Sequence, residues 1–185
     1  MQILKKICFF LSFFRILCYN KNITPKEGDN MSKTVCFTGH REIPDAEYPL
    51  LCERLNHTIE EQIQNGATVF RAGGALGFDT LAALSVLSLR RQYPHIRLEL
   101  ILPCPSQTRG WSHADIQLYE QIMEQADAHR YVSSTYFTGV LQMRNRALVD
   151  GSDVCIAYLR NSHGGGTAFT ASLAIRQGLE FINLN

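Results

Sequence analysis

The sequence feature with the clearest chemical potential is a run of three glycines and a threonine, Gly164-Gly165-Gly166-Thr167, preceded by His163. The run follows an apolar segment and opens a helical pattern. Because glycine has no Cβ, successive backbone N–H groups can approach an anion, and a helix N-terminus adds the positive end of its dipole. The Thr167 hydroxyl would be an additional donor. The run predicts a phosphate-binding loop, and a flexible turn with a threonine N-cap is the alternative.

A second small-residue loop lies earlier in the chain and also precedes a helical pattern. It contains Gly73, Gly74, Ala75 and Gly77, which predict close backbone contact with a ligand phosphate. The spacing is not the G-x-G-x-x-G of dinucleotide-binding loops. Asp79 suits the first turn of the helix, where a carboxylate favours the dipole. Since a carboxylate would repel phosphate, any ligand contact of Asp79 is expected on ribose hydroxyls.

Two other loops carry basic, amide or aromatic side chains. Gly39, His40 and Arg41 directly follow the first apolar segment, where a tight turn would project the two basic side chains over the end of a strand. A solvated arginine and a histidine bonded to backbone are the alternative. Gln107 and Trp111 belong to a third loop, and Trp111 is the only tryptophan. Its ring could stack on a base, with ordinary packing as the alternative.

Arg144 and Asn145 stand in a helical pattern before the fifth strand-like segment. An arginine suits bidentate pairing with a phosphate, and an asparagine can read polar groups of a sugar or base. Adjacent residues of a helix lie on different faces, so spacing alone leaves open whether both side chains point at one site.

Hydrophobic patterning predicts the scaffold that must position these loops. Strands are predicted at 34–38, 68–71, 97–102, 129–132, 153–158 and 180–184. Helices are predicted near 47–64, 78–92, 113–125, 137–150 and 167–177. The alternation indicates a Rossmann-like, doubly wound α/β fold, a mainly parallel sheet of about six strands in three α/β/α layers. Right-handed crossovers would bring the strand-to-helix loops to the carboxyl edge of the sheet, where such folds bind ligands.

Composition narrows the classes of function. The chain has 185 residues, and residues 31–185 carry 13 basic against 15 acidic side chains. This slightly acidic balance disfavours an extensive nucleic-acid-binding face. The six cysteines are scattered, with no C-x-x-C pair. We therefore expect no metal site and no disulfide framework, and a cytoplasmic protein.

Residues 1–30 are predicted to lie outside the fold. Lys5 and Lys6 precede an apolar run over 7–14, which Arg15 interrupts and which is far too short to span a membrane. Met31 stands directly before the first strand, as a start codon would. We expect an N-terminal extension or tail over 1–30, one ligand-binding domain over 31–185, and no membrane partner.

Taken in order, these loops resemble the SLOG superfamily, and most closely its YpsA-like branch of bacterial proteins. The resemblance rests on T-G-H-R at 38–41, G-G-A-x-G-x-D at 73–79, P-x-x-x-Q-x-x-x-W at 103–111, M-R-N at 143–145 and G-G-G-T at 164–167. It implies a Rossmann-like fold that holds a nucleotide or nucleotide-derived ligand, with ADP-ribose and NAD relatives as candidates and no resident cofactor. It also implies a homodimer that acts through a protein partner.

Function differs within the superfamily. LOG enzymes cleave the N-glycosidic bond of nucleoside monophosphates with a glutamate three residues after their G-T pair, and Thr170 stands at that position here. A hydroxyl cannot replace that carboxylate. The leading hypothesis is therefore a sensor or regulatory protein for a nucleotide-like ligand, with no catalytic residue assigned. The alternatives are an N-glycosidase that uses Asp79 or Asp150, and a DprA-like binder of single-stranded DNA.

Overall fold

The computed structural model describes residues 32–161 and 164–185, so the expected N-terminal extension and His163 lie outside the described residues. Six strands are formed: β1 (Lys33–Gly39), β2 (Ala67–Ala72), β3 (Arg97–Leu102), β4 (Ala128–Tyr131), β5 (Val154–Tyr158) and β6 (Glu180–Asn183). Five α-helices alternate with them: α1 (Tyr48–Gln64), α2 (Phe78–Leu89), α3 (His113–Gln125), α4 (Val140–Val149) and α5 (Gly165–Arg176). A short 3-10 helix (Pro105–Thr108) follows β3.

The strands form one parallel sheet in the order β4-β3-β2-β1-β5-β6. The chain winds outward from β1 to β4, then returns through α4 to place β5 on the other side of β1. Strands β1 and β5 are in register from Val35–Val154 to Gly39–Tyr158. Strand order reverses at their carboxyl ends, which is where doubly wound sheets form a ligand crevice. The predicted Rossmann-like parallel sheet is confirmed.

Helices cover both faces of the sheet. Val35 and Phe37 belong to an apolar cluster with α1, α2 and α3, whereas Cys36 and Cys155 pack with α4 and α5 on the opposite face. The separation follows from the alternation of side chains along a strand. This arrangement confirms the three α/β/α layers.

The element boundaries differ slightly from prediction. Helix α2 ends at Leu89, because the chain then enters a turn in which the Gln92 N–H donates to Leu89 O at 2.9 Å. Strand β4 is shifted one residue toward the N-terminus, and α5 begins at Gly165, within the glycine run. The last difference matters for the site, because it makes the glycines the first turn of the helix.

Within residues 32–161 and 164–185, no helix is long and apolar enough to cross a membrane. The same residues contain no cluster of three or more histidine, cysteine, aspartate or glutamate side chains that could hold a metal ion. The described cysteines Cys36, Cys52, Cys104 and Cys155 are buried, and none of them forms a disulfide with another of the four.

Candidate ligand site at the carboxyl edge of the sheet

A cleft of about 310 Å³ lies at the carboxyl end of β1. Its walls come from the turn after β1, the loop before α2, one face of α4 and the first turn of α5. The lining residues are Phe37, Thr38, Gly39, His40, Arg41, Ala75, Asp79, Leu141, Arg144, Asn145, Leu148, Gly166 and Thr167. Residues that are far apart in sequence thus meet at the edge where the chain topology predicts ligand binding.

A buried ion pair contributes to the cleft. Arg144 Nη1 donates to Asp79 Oδ2 at 3.1 Å, and the two side chains are only 9% and 7% exposed. The Ala75 N–H donates to the same oxygen at 3.3 Å. Burial raises the pKa of Asp79 above its ordinary value, while the Arg144 charge and the Ala75 bond act in the opposite direction. Asp79 is thus paired with Arg144, and its expected contact with ribose hydroxyls stays a prediction.

Arg144 retains unused donor capacity. Its Nε is buried and has no hydrogen-bond partner within the described part of the chain. A buried donor without an acceptor is costly, and in natural proteins it calls for an explanation such as a missing ligand or water. The side chain thus combines a fixed positive charge with an unsatisfied N–H beside the cleft.

At the glycines of the loop before α2, other protein atoms occupy the space that a side chain would need. A Cβ on Gly73 would lie 1.5 Å from Arg144 Nη1, and one on Gly77 would lie 2.1 Å from the backbone oxygen of Arg41. At Gly74 it would meet Leu102 at 2.6 Å. Because Asp79 occupies the first turn of α2, this helix N-terminus already has its anion. The glycines of this loop allow close packing, and the predicted contact of its backbone with a ligand phosphate stays a prediction.

The N-terminus of α5 differs from that of α2. A Cβ at Gly164 or Gly165 would have no atom of residues 32–161 and 164–185 within 4 Å, and the two φ angles are +74° and +82°. The first turn of α5 contains no acidic residue. Backbone N–H groups at the start of a helix have no intrahelical partner and carry the positive end of the dipole. No side chain of the described residues covers the Cβ positions of this helix start, which favours access of an anion to its N–H groups.

Side-chain hydrogen bonds hold this helix start against the cleft. Asn145 Nδ2 donates to Gly166 O at 3.3 Å, and Thr167 Oγ1 donates to Gly39 O at 2.9 Å. Asn145 and Thr167 thus tie α4 and β1 to the first turn of α5. These two bonds position the glycine run, and the Asn145 amide keeps a second N–H beside the cleft.

His40 and Arg41 occupy the rim of the cleft. His40 Nε2 accepts from the Arg160 N–H at 3.0 Å, which fixes the other ring nitrogen as the protonated one in the neutral tautomer. The His40 ring packs edge-on against Tyr158. Burial and the neighbouring Glu47 carboxylate raise the pKa of Tyr158 to about 12. Arg41 is exposed, so its guanidinium is available to a ligand.

Several residues considered from the sequence do not line the cleft, among them five of the loop glycines, Gln107, Trp111 and Asp150. Gln107 Nε2 donates to Gly74 O at 3.2 Å, and Trp111 packs edge-on against Tyr119 with ring centroids 5.6 Å apart. Neither side chain lines the cleft. Asp150 follows α4 at the opposite, amino edge of the sheet, where its Oδ1 accepts from Gln177. The sheet therefore separates Asp150 from the cleft, which lies at the carboxyl edge.

Some lining residues were not anticipated from the sequence. Leu141 and Leu148 line the cleft together with Arg144 and Asn145. The four positions follow the i, i+3, i+4, i+7 spacing of one helix face. This stripe was a readable signal, and it also explains why Arg144 and Asn145 reach the same cleft despite being adjacent in sequence.

Comparison with known proteins places these features in a family. The model of the YspA SLOG family, YpsA, matches residues 36–180. A UPF0398 protein of Brevibacillus brevis is 30% identical over 106 residues, covering 56% of this chain and 56% of that protein. A UPF0398 protein of Staphylococcus haemolyticus is 25% identical over 162 residues, covering 82% and 83% of the two chains. The chain thus spans only about half of the first relative's length.

Two solved structures share the fold. DNA processing protein A of Helicobacter pylori, which binds single-stranded DNA, superposes with a TM-score of 0.55 at 22% identity, covering 82% of this chain and 64% of that one. The structural genomics target TM1055 superposes with a TM-score of 0.51 at 19% identity, covering 80% and 72%. The family match includes the end of β1, both glycine-rich loops and α4, which are the elements that build the cleft. The chain belongs to the YspA SLOG family, as the resemblance of its five motifs predicted.

Proposed function

We propose that this protein binds a nucleotide-type ligand in the cleft, with a phosphate group at the N-terminus of α5. The observation that carries the proposal is the contrast between the two glycine-rich loops. Within the described residues, no atom lies close to the Cβ positions of Gly164 and Gly165, whereas those of Gly73 and Gly77 are packed against protein. An open helix N-terminus without an acid, next to buried Arg144 and exposed Arg41, is suited to a phosphate.

The cleft favours recognition over hydrolysis. Asp79 is the carboxylate that lines it among the described residues, and it is held by Arg144. Thr170 is fully buried, and its hydroxyl donates to Gly166 O at 2.8 Å. No carboxylate therefore stands where LOG enzymes carry theirs. We assign the protein a sensing or regulatory role in the cytoplasm, with ADP-ribose and NAD relatives as ligand candidates and with a homodimer and a protein partner as expectations from the family.

Thermal unfolding of the full chain with AMP, ADP-ribose or NAD tests the proposal. A ligand at about 100 times its Kd is expected to raise Tm by about 5–10 °C. Gly165→Asp should abolish this shift, because it places a carboxylate at the phosphate position. Gly178→Asp is the matched control, since Gly178 also has a positive φ and open space but stands beyond the opposite end of α5. Equal ligand responses in the two variants, or none in the wild type, would contradict the proposal.

Incubation with nucleoside monophosphates is expected to release no free base, because the cleft has no unpaired carboxylate to support glycosidic cleavage. Chromatography of the reaction mixture measures this directly. Base release that disappears in Asp79→Asn but persists in Asp150→Asn would instead establish an N-glycosidase with Asp79 in the catalytic role. Salt-sensitive retention of a single-stranded oligonucleotide would favour the function of the Helicobacter pylori neighbour.

A further inference from the structure

A second cavity adjoins the cleft and differs from it in chemistry. It measures about 230 Å³ and opens between the loop after β1 and helices α1, α2 and α3. Most of its wall is apolar, formed by Ile43, Leu76, Leu81, Leu84 and Leu118. We call this cavity the apolar recess. Its volume is below the roughly 300–1,000 Å³ of pockets that hold a whole drug-sized ligand, so it fits one part of a larger molecule.

The recess and the cleft share one lining residue. Arg41 lines both cavities. Gly77, which lines the recess, is in direct backbone contact with Arg41, leaving no room for a side chain between them. A planar guanidinium at such a junction can pair with a phosphate or stack on an aromatic ring. A ligand with an anionic part and an apolar ring can therefore span the two cavities over Arg41.

We propose that the apolar recess binds the base of the ligand whose phosphate lies at the N-terminus of α5; this inference rests on the proposed function. The ring is placed between leucine side chains of α2 and α3. It is not placed on Trp111, whose ring packs against Tyr119. Burial of an aromatic ring among aliphatic groups supplies affinity that a sugar phosphate alone lacks.

Asp115 adds a preference among bases. It lines the recess, and its Oδ2 accepts from Ser112 Oγ at 2.7 Å. The second oxygen, Oδ1, lies outside that bond. A carboxylate oxygen accepts hydrogen bonds and cannot donate when ionised. The recess therefore selects a base with an exocyclic amino group, such as adenine, over one with a carbonyl at that position, such as hypoxanthine.

Calorimetric titration of the full chain with AMP, IMP and ribose 5-phosphate tests the ring site. AMP is expected to bind about tenfold more tightly than ribose 5-phosphate in the wild type. Leu84→Phe fills the recess and should lower AMP affinity to that of ribose 5-phosphate without changing the latter. Leu87→Phe is the control, because Leu87 is also half-buried on α2 and packs on the same core but does not line the recess. Asp115→Asn should narrow or reverse the preference for AMP over IMP, since an amide can also donate.

The outcomes separate this inference from the proposed function. Equal affinities of AMP and ribose 5-phosphate in the wild type would overturn the ring site and leave the phosphate site standing. Failure of all three probes to bind would overturn both. Equal weakening of AMP and ribose 5-phosphate in Leu84→Phe would show that the substitution acts outside the recess, and would also overturn the ring site.

Discussion

Replacement of Arg144 with leucine is expected to lower the free energy of unfolding by about 3–5 kcal/mol at neutral pH, because it leaves the Asp79 carboxylate buried without its charge partner. Both side chains are more than nine-tenths buried, so solvent cannot compensate for the loss. The Ala75 N–H would be the remaining donor to Asp79. Urea denaturation followed by circular dichroism measures the difference from the wild type.

The double variant Arg144→Leu, Asp79→Asn is the control for this effect. With both charges removed, the loss should be smaller than that of Arg144→Leu alone, since no buried charge is left unpaired. A larger loss in the double variant would show that packing of the arginine, and not its charge, supports the fold.

The same pair has a defined pH dependence. Burial raises the pKa of Asp79 in the folded protein, so the folded state binds its proton more tightly than the unfolded chain does. The stability linked to Asp79 is thus present below the unfolded pKa and is lost as the pH rises through the folded pKa. Removing Arg144 raises the folded pKa further. The deficit of Arg144→Leu should therefore be larger at about pH 7.5 than at about pH 4.5, and a deficit independent of pH would contradict an ionised Asp79.

Gly77→Ala is expected to destabilise the protein by about 4 kcal/mol or more, within the range that only core disruption or backbone strain reaches. The new Cβ would lie 2.1 Å from the backbone oxygen of Arg41, and Gly77 has a φ of +78°. Backbone atoms cannot move aside as the end of a flexible side chain can. Urea denaturation again gives the measurement.

Gly110→Ala separates the effect of the steric clash from the effect of the positive φ angle. Gly110 has a similar φ of +83°, but a Cβ there would have no neighbour within 4 Å in the part of the chain that the structure describes. Its loss should be limited to about 1–2 kcal/mol from the left-handed backbone conformation. Similar losses in the two variants would indicate that the contact between Gly77 and Arg41 is not a fixed feature of the fold.

The fold could be predicted because its signals are local. Apolar runs such as the one in β5, alternating with amphipathic helices, specify successive βαβ units, and the handedness of those units specifies the edge at which loops gather. The helical spacing of Leu141, Arg144, Asn145 and Leu148 was also a local signal. It was missed because Arg144 and Asn145 are adjacent in sequence and were assigned to different faces of the helix. Strand order was not local, since nothing in the sequence of β5 states that it pairs with β1 instead of β4.

The sequence by itself determined that glycine-rich runs follow the strands. It also indicated that such a run can bind a phosphate. It could not distinguish Gly73 and Gly77 from Gly164 and Gly165, because a glycine records only that a Cβ is absent. What fills the vacated space depends on side chains and backbone brought from other elements. Arg144, Asp79 and the Arg41 backbone fill it at the loop before α2, whereas no atom of the described residues fills it at the start of α5. The tertiary structure alone therefore distinguished the two glycine-rich loops, and ligand binding at the start of α5 stays a prediction.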